Sequence, residues 1–153
     1  MLVITGEKTL KVNRMADIKS GTVINDPTVW QGHPDVAYFQ NRIFVTFRES
    51  HNHKANKLTS IGLVSSKDGE SFSRPRYLFR SEDGRYNCPR LSVIDDQLWL
   101  ICDFVKANKD QDFIDAENDE KNTAVHLCYT EDGIDWSEEI ETNIKGIVPD
   151  RIR

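Results

Sequence analysis

Apolar residues fall in short runs rather than at helical spacing: Val36-Ala37-Tyr38-Phe39, Ile43-Phe44-Val45, Ile61-Gly62-Leu63-Val64, then Leu91-Ser92-Val93-Ile94, Leu98-Trp99-Leu100-Ile101-Cys102 and Val125-His126-Leu127-Cys128. The runs are rich in β-branched and aromatic side chains and are bounded by turn formers, which predicts strands. Strands are expected near residues 35–40, 43–49, 58–66, 71–79, 90–95, 97–103, 122–130 and 135–142. Where a run is apolar at successive positions, as in 43–47 and 98–102, the sheet is expected to be covered on both faces. Tight turns are expected at Gln40-Asn41, Asp68-Gly69, Asp95-Asp96 and Asp132-Gly133, residues that tolerate left-handed backbone.

The runs repeat. Pro34 to Phe39 aligns with Pro89 to Ile94 at an offset of 55 residues, and the same offset pairs Ile43-Phe44-Val45-Thr46-Phe47 with Leu98-Trp99-Leu100-Ile101-Cys102. Farther on, Ile61 to Phe72 aligns with Val125 to Trp136 at an offset of 64. The second copy therefore holds nine extra residues, placed in the charged stretch between Asp103 and Val125, which reads as an exposed loop. Val148-Pro149-Asp150-Arg151 echoes the start of both copies. Repeated four-stranded meanders of this length predict an all-β fold, a β-propeller fragment of two four-stranded antiparallel blades plus the start of a third. The competing arrangement, two unrelated meanders in a β-sandwich, leaves the repeat unexplained. As a single partial domain, the chain divides into an N-terminal segment 1–33, blade one 34–79, blade two 89–142 and a third start at 147–153.

Composition narrows the partners. At 153 residues with a net charge of −5, the chain has no basic surplus to draw it to nucleic acid or an anionic membrane surface, and neither partner is expected. The opening Leu2 to Lys8 meets charge too early for a secretory leader and no run reaches membrane-spanning length, so a cytoplasmic location is expected. Cys88, Cys102 and Cys128 lack the short spacings of zinc or redox sites and read as reduced thiols, with Cys102 and Cys128 on adjacent strands. No phosphate-binding glycine loop, nucleophile elbow or zinc-protease motif is present; no cofactor and no metal is expected.

The turn segments Ser66-Lys67-Asp68-Gly69-Glu70-Ser71-Phe72 and Thr130-Glu131-Asp132-Gly133-Ile134-Asp135-Trp136 resemble the Asp-box of sialidases and other BNR-repeat propellers. His33-Pro34-Asp35, Phe47-Arg48-Glu49-Ser50-His51, Asn87-Cys88-Pro89-Arg90 and Pro149-Asp150-Arg151 extend the resemblance to exo-α-sialidase-like glycosidases. The resemblance implies a glycoside hydrolase acting on a terminal sugar, incomplete in this chain, since such rings close with about five or six blades. The alternative is a non-catalytic carbohydrate-binding or structural module. In either case the partner implied is a carbohydrate.

In a propeller the starts of the first strands and the loops between second and third strands share one rim, and the Asp-box turns mark the other. The first rim collects the candidates. Asp35 is the candidate acid/base, and Arg48 and Arg90 are the candidates for anion or hydroxyl binding, with His33, Glu49, His51, Asp150 and Arg151 beside them. No Tyr–Glu pair in the sequence matches the nucleophile of sialidases. Each candidate has a structural reading too: Asp35 and Asp150 as turn caps, Arg48 as an ion-pair partner of Glu49 or Asp103, and His51 and His53 as solvated loop histidines. Phe44, Phe47, Trp99 and Ile101 are expected on blade faces that need cover, from residues 1–33 on one side and from self-association or further sequence on the other.

Overall fold

Hairpins that open each repeat turn on two left-handed residues, Gln40 (φ 47°) and Asn41 (φ 57°) in the first and Asp95 (φ 48°) and Asp96 (φ 62°) in the second. The computed structural model describes residues 22–55, 58–107, 123–146 and 149–152. Eight strands run in chain order: β1 (Trp30–Phe39), β2 (Arg42–Ser50), β3 (Thr59–Ser66), β4 (Arg76–Ser81), β5 (Gly84–Ile94), β6 (Gln97–Lys106), β7 (Thr123–Thr130) and β8 (Ile140–Glu141). They pair antiparallel into two four-stranded sheets, β1-β2-β3-β4 and β5-β6-β7-β8. Among the described residues there is no helix and neither sheet closes on itself. Correspondingly, no helix there is long and apolar enough to cross a membrane. Residues 1–21 and the charged loop at 108–122 lie outside the described residues, as do 147, 148 and 153 of the expected third start; 149–152 carry no strand.

The first strand of each sheet begins earlier than its proline suggests. β1 starts at Trp30 rather than 35 and β5 at Gly84 rather than 90, because each absorbs the proline in a bulge. Gly32 pairs with Arg48 and Asp35 with Thr46, leaving His33 and Pro34 opposite one residue; Asn87 pairs with Asp103 and Arg90 with Ile101, leaving Cys88 and Pro89. Both bulges place a left-handed residue before the proline, His33 (φ 52°) and Cys88 (φ 43°). Proline has no N–H to contribute to a ladder, so a bulge is where a strand tolerates it. The offset of 55 therefore holds residue by residue, irregularity included.

The fourth strands differ in the other direction. β4 begins at Arg76 rather than 71, and β8 has two residues where 135–142 is expected. Side-chain oxygens replace ladder partners there: Ser65 N donates to Ser73 Oγ (3.0 Å), and Tyr129 N to Ser137 Oγ (3.1 Å).

Strand alternation sends every second side chain of the first sheet toward the second. Phe39, Phe44, Ile61, Leu63 and Phe79 meet Tyr86, Leu91, Leu98, Leu100, Cys102 and Cys128 in one core. Each large side chain buried there contributes about 1.5–3 kcal/mol. Phe44 thus belongs to the inter-sheet core rather than an uncovered face, and Phe47, pointing the other way, is buried over Gly62, where a Cβ would lie 2.5 Å from its ring. Ile101 is buried, and Trp99 packs on Tyr129 with ring centroids 4.7 Å apart. Cys102 and Cys128 are free and offset, since Cys102 pairs with His126 and Cys128 with Leu100.

The two Asp-Gly turns have the same internal bonding. Asp68 Oδ1 accepts from Glu70 N, Ser71 N and Ser66 Oγ, and Asp132 Oδ1 from Ile134 N, Asp135 N and Thr130 Oγ1, all at 2.8–3.0 Å. Bonds from the Ser71 and Glu70 amides and the Ser66 hydroxyl lower the Asp68 carboxyl from 3.8 to about 2. A folded-state value below the unfolded one stabilises above the ordinary carboxylate range and is lost as pH falls through the folded value. Thermal unfolding followed between pH 5 and pH 2 should therefore show a falling midpoint, and Asp68→Asn should flatten that fall; an unchanged acid limb would contradict the role given to this turn. Gly133 (φ 75°) sits where a Cβ would be 2.6 Å from the Phe44 ring of the first sheet. Gly133→Ala should cost about 1–3 kcal/mol in denaturant unfolding, from left-handed strain and overpacking together.

Candidate functional site

The bulges of β1 and β5 and the loop after β2 come together on one rim. Trp30, His33 and His53 form a ring cluster there, with centroids 5.5 Å apart for Trp30–His33, 4.9 Å for Trp30–His53 and 5.7 Å for His33–His53. Gly32 makes this possible, because a Cβ at that position would lie 2.5 Å from the Trp30 indole. Burial lowers the His33 imidazole below its ordinary value, and the charges of Arg48, His53, Arg90 and Arg85 lower it further. Those same three arginines act on the Cys88 thiol, which burial and Asp103 nevertheless push up. The junction between the sheets thus gathers three guanidinium groups around two neighbouring bulges.

Arg48 is turned inward. It is 1% exposed, and its guanidinium lies 5.2 Å from the Trp30 ring centroid. Nη1 donates to Asn87 Oδ1 (3.1 Å) and the His53 carbonyl (3.2 Å), and Nη2 donates to the Ala55 carbonyl (2.9 Å). Burial, then the nearby Arg85 charge, lowers its value to about 10, so it remains charged at neutral pH. Arg48 ties the β2–β3 loop to the second sheet and offers little to solvent. It does not pair with Glu49, which alternation puts on the opposite face, where Glu49 accepts from Tyr77 OH (2.7 Å) and Gln31 Nε2 (2.9 Å).

Asp35 also bridges the sheets. Its Oδ2 accepts from Leu91 N (2.9 Å) and Arg151 Nε (3.1 Å), and Oδ1 accepts from Arg151 Nη2. Burial pulls this carboxyl up, but the bonds from Arg151 and Leu91 N outweigh it and hold the group below the ordinary carboxylate value. In this arrangement Asp35 is an ionised acceptor. Asp150 Oδ1 accepts from Arg151 N (2.8 Å). Arg90 donates from Nη1 to its neighbour's Pro89 carbonyl (3.0 Å). His51 is exposed in the loop after β2.

Three features escape sequence reasoning. Arg85 reads as an ordinary strand residue, yet it occupies in β5 the place of Trp30 in β1, and its buried Nε has no hydrogen-bond partner among the described residues. The repeat alignment carried four residues farther back marks it. Two Tyr–Glu contacts form away from the rim cluster: Tyr77–Glu49, and Tyr86 OH donating to Glu139 Oε1 (2.5 Å), the oxygen that also meets His126 Nδ1. Burial and the adjacent glutamate push both tyrosines up, Tyr77 to about 12, the opposite of an activated nucleophile. Among the described residues no group of three or more His, Cys, Asp or Glu is arranged to hold a metal ion.

No family model and no curated protein matches the chain. Among solved structures it is similar to a protein of unknown function from Dyadobacter fermentans, at 15% identity and a TM-score of 0.56, over 77% of this chain and 38% of that one. It is similar also to a Trypanosoma rangeli sialidase in complex with sialic acid, at 9% identity and a TM-score of 0.53, over 74% and 20%. A family 117 glycoside hydrolase from the marine bacterium Zobellia galactanivorans aligns at 12% identity and a TM-score of 0.47, over 74% and 39%. The likeness to the sialidase is to a propeller-type fold, and the two sheets are blades of that type. The chain spans about a fifth to two fifths of the length of these neighbours.

Arg48→Met should cost about 2–4 kcal/mol in denaturant unfolding, because it strands two carbonyls and the Asn87 amide in a buried junction. A loss below 0.5 kcal/mol would show that Arg48 does not hold the blades together.

Proposed function

We propose that the chain carries the sugar-binding rim of a sialidase-like propeller glycoside hydrolase, and that Arg85 and Arg90 hold an anionic group of a terminal sugar. The observation that supports this reading is that Arg85 and Arg90 flank the Cys88 bulge in β5 while Arg48 bonds Asn87 beside it, and all three charges act on His33 and Cys88. Three like charges repel, the buried Asp103 beside Arg48 and Cys88 offsets part of that repulsion, and a bound anion would offset more. A structural ion-pair network would spend the guanidinium donors internally. Arg48 spends both terminal nitrogens that way, although its buried Nε, like that of Arg85, has no partner among the described residues, and Arg90 bonds its own neighbour's carbonyl. Guanidinium forks match carboxylates bidentately, the geometry a sugar acid presents.

In this reading Arg48 is a positioning residue, and Trp30 and His53 pack beside it. Asp35 is the proposed proton-transfer group of the intact protein, entering the reaction as a carboxylate and thus as a base. Its engagement by Arg151 and Leu91 N favours a second reading, a rim that binds carbohydrate without cleaving it. Hydrolysis assays on a panel of chromogenic glycosides, with Asp35→Asn beside the unaltered chain, separate the two. Loss of activity supports the hydrolase, and sugar binding without turnover supports the binding module. In either case Arg85→Gln and Arg90→Gln should each weaken sialic acid or glucuronate binding by about tenfold or more in calorimetric titration. Binding unchanged in both variants would remove the arginines from the site.

A further inference from the structure

We infer that His33 reads a hydroxyl of the same ligand whose anionic group Arg85 and Arg90 hold, so that the rim selects a sugar acid over a plain anion and over a neutral sugar. The inference rests on the arginine site proposed above and adds to it the residue that reads the sugar's hydroxyl.

The argument begins from the repeat. His33 and Cys88 occupy equivalent bulges with the same ladder register and the same left-handed backbone. Cys88 is buried, which shows that the fold is satisfied there by a small thiol. The imidazole of His33 is therefore more than the bulge requires. It stands half-buried at the rim, edge-on to Trp30 and beside His53, and it makes ring contacts without a hydrogen bond among the described residues. Trp30 itself packs on the Arg48 guanidinium, which holds the ring's neighbour in place.

Charge then decides what His33 can recognise. Burial disfavours a charged ring, the charges of Arg48, His53, Arg90 and Arg85 disfavour it further, and the ring is neutral at neutral pH. A neutral imidazole brings one donor and one acceptor, which suits a hydroxyl, since a hydroxyl also does both, and suits a carboxylate less well than the guanidiniums do. A ligand that satisfies the whole rim offers a carboxylate to the arginines and a hydroxyl to His33, which is the chemistry of a sugar acid.

The test uses the full chain and three probes at pH 7.5: D-glucuronate, its uncharged methyl ester, and acetate, each titrated calorimetrically. Glucuronate should bind at least tenfold more tightly than either of the others. His33→Cys, the residue the second bulge already accommodates, should weaken glucuronate about fivefold to tenfold and leave acetate unchanged, whereas His33→Gln, which keeps a donor and an acceptor, should stay within about threefold. The His33 Cε1–H resonance should shift on adding glucuronate and not on adding acetate. Glucuronate affinity unchanged in His33→Cys, with the wild-type chain still binding, overturns the role of His33 alone. A wild-type chain that binds no probe overturns the arginine site and this inference together.

Discussion

Everything on the rim depends on one packing event, the seating of the first sheet's inner face on the second. Phe39, Phe44, Ile61, Leu63 and Phe79 cover Tyr86, Leu91, Leu98, Leu100, Cys102 and Cys128, and this apolar contact sets β5 beside β1. A pair of equivalent residues shows what this does. Val36 on β1 is 53% exposed, whereas Leu91, its mate on β5, is 1% exposed, because among the described residues only β5 has a sheet stacked on that side. With the sheets seated, alternation sends Arg48 across the junction to Asn87, and the bulge turns Asp35 toward Leu91 N. The polar bonds follow the apolar packing and lock its register.

Identical backbone with different chemistry is what separates site from scaffold here. The paired registers of β1–β2 and β5–β6 match position for position, so Trp30 corresponds to Arg85, His33 to Cys88, Asp35 to Arg90 and Arg48 to Asp103. At the opposite rim the equivalent turns keep the same chemistry, Ser66 and Thr130, Asp68 and Asp132, Gly69 and Gly133, with matching bonds. A turn that must bond its own amides cannot vary, and it does not. The bulge ends, whose backbone needs are met by residues as different as histidine and cysteine, are free to carry ligand chemistry.

Much of this is legible in the sequence because strand alternation and turn chemistry are local. The hairpin turns, the repeat and the strand order follow from side chains within a few residues of one another. What is not legible is what depends on a distant partner. Strands are expected to begin after Pro34 and Pro89, yet both pass through them, since a bulge needs only a left-handed residue and a partner strand to bridge it. Arg48 reads as a rim residue by position, but the core-facing alternation of β2 buries it. Tyr86, Glu139 and His126 meet from three separate stretches of chain, and no spacing announces them. Arg85 was within reach, because the offset that aligns the bulges also aligns it with Trp30.

The central claim is that the bulges of β1 and β5 and the loop after β2 form one anion-binding rim. Backbone amide shifts of the labelled chain, recorded while D-glucuronate is added, test it most directly. The account predicts perturbations confined to residues 30–35, 48–55 and 85–91, with the turns at 66–71 and 130–135 unmoved. Saturable shifts centred on those turns, or no saturable shift anywhere, would contradict it.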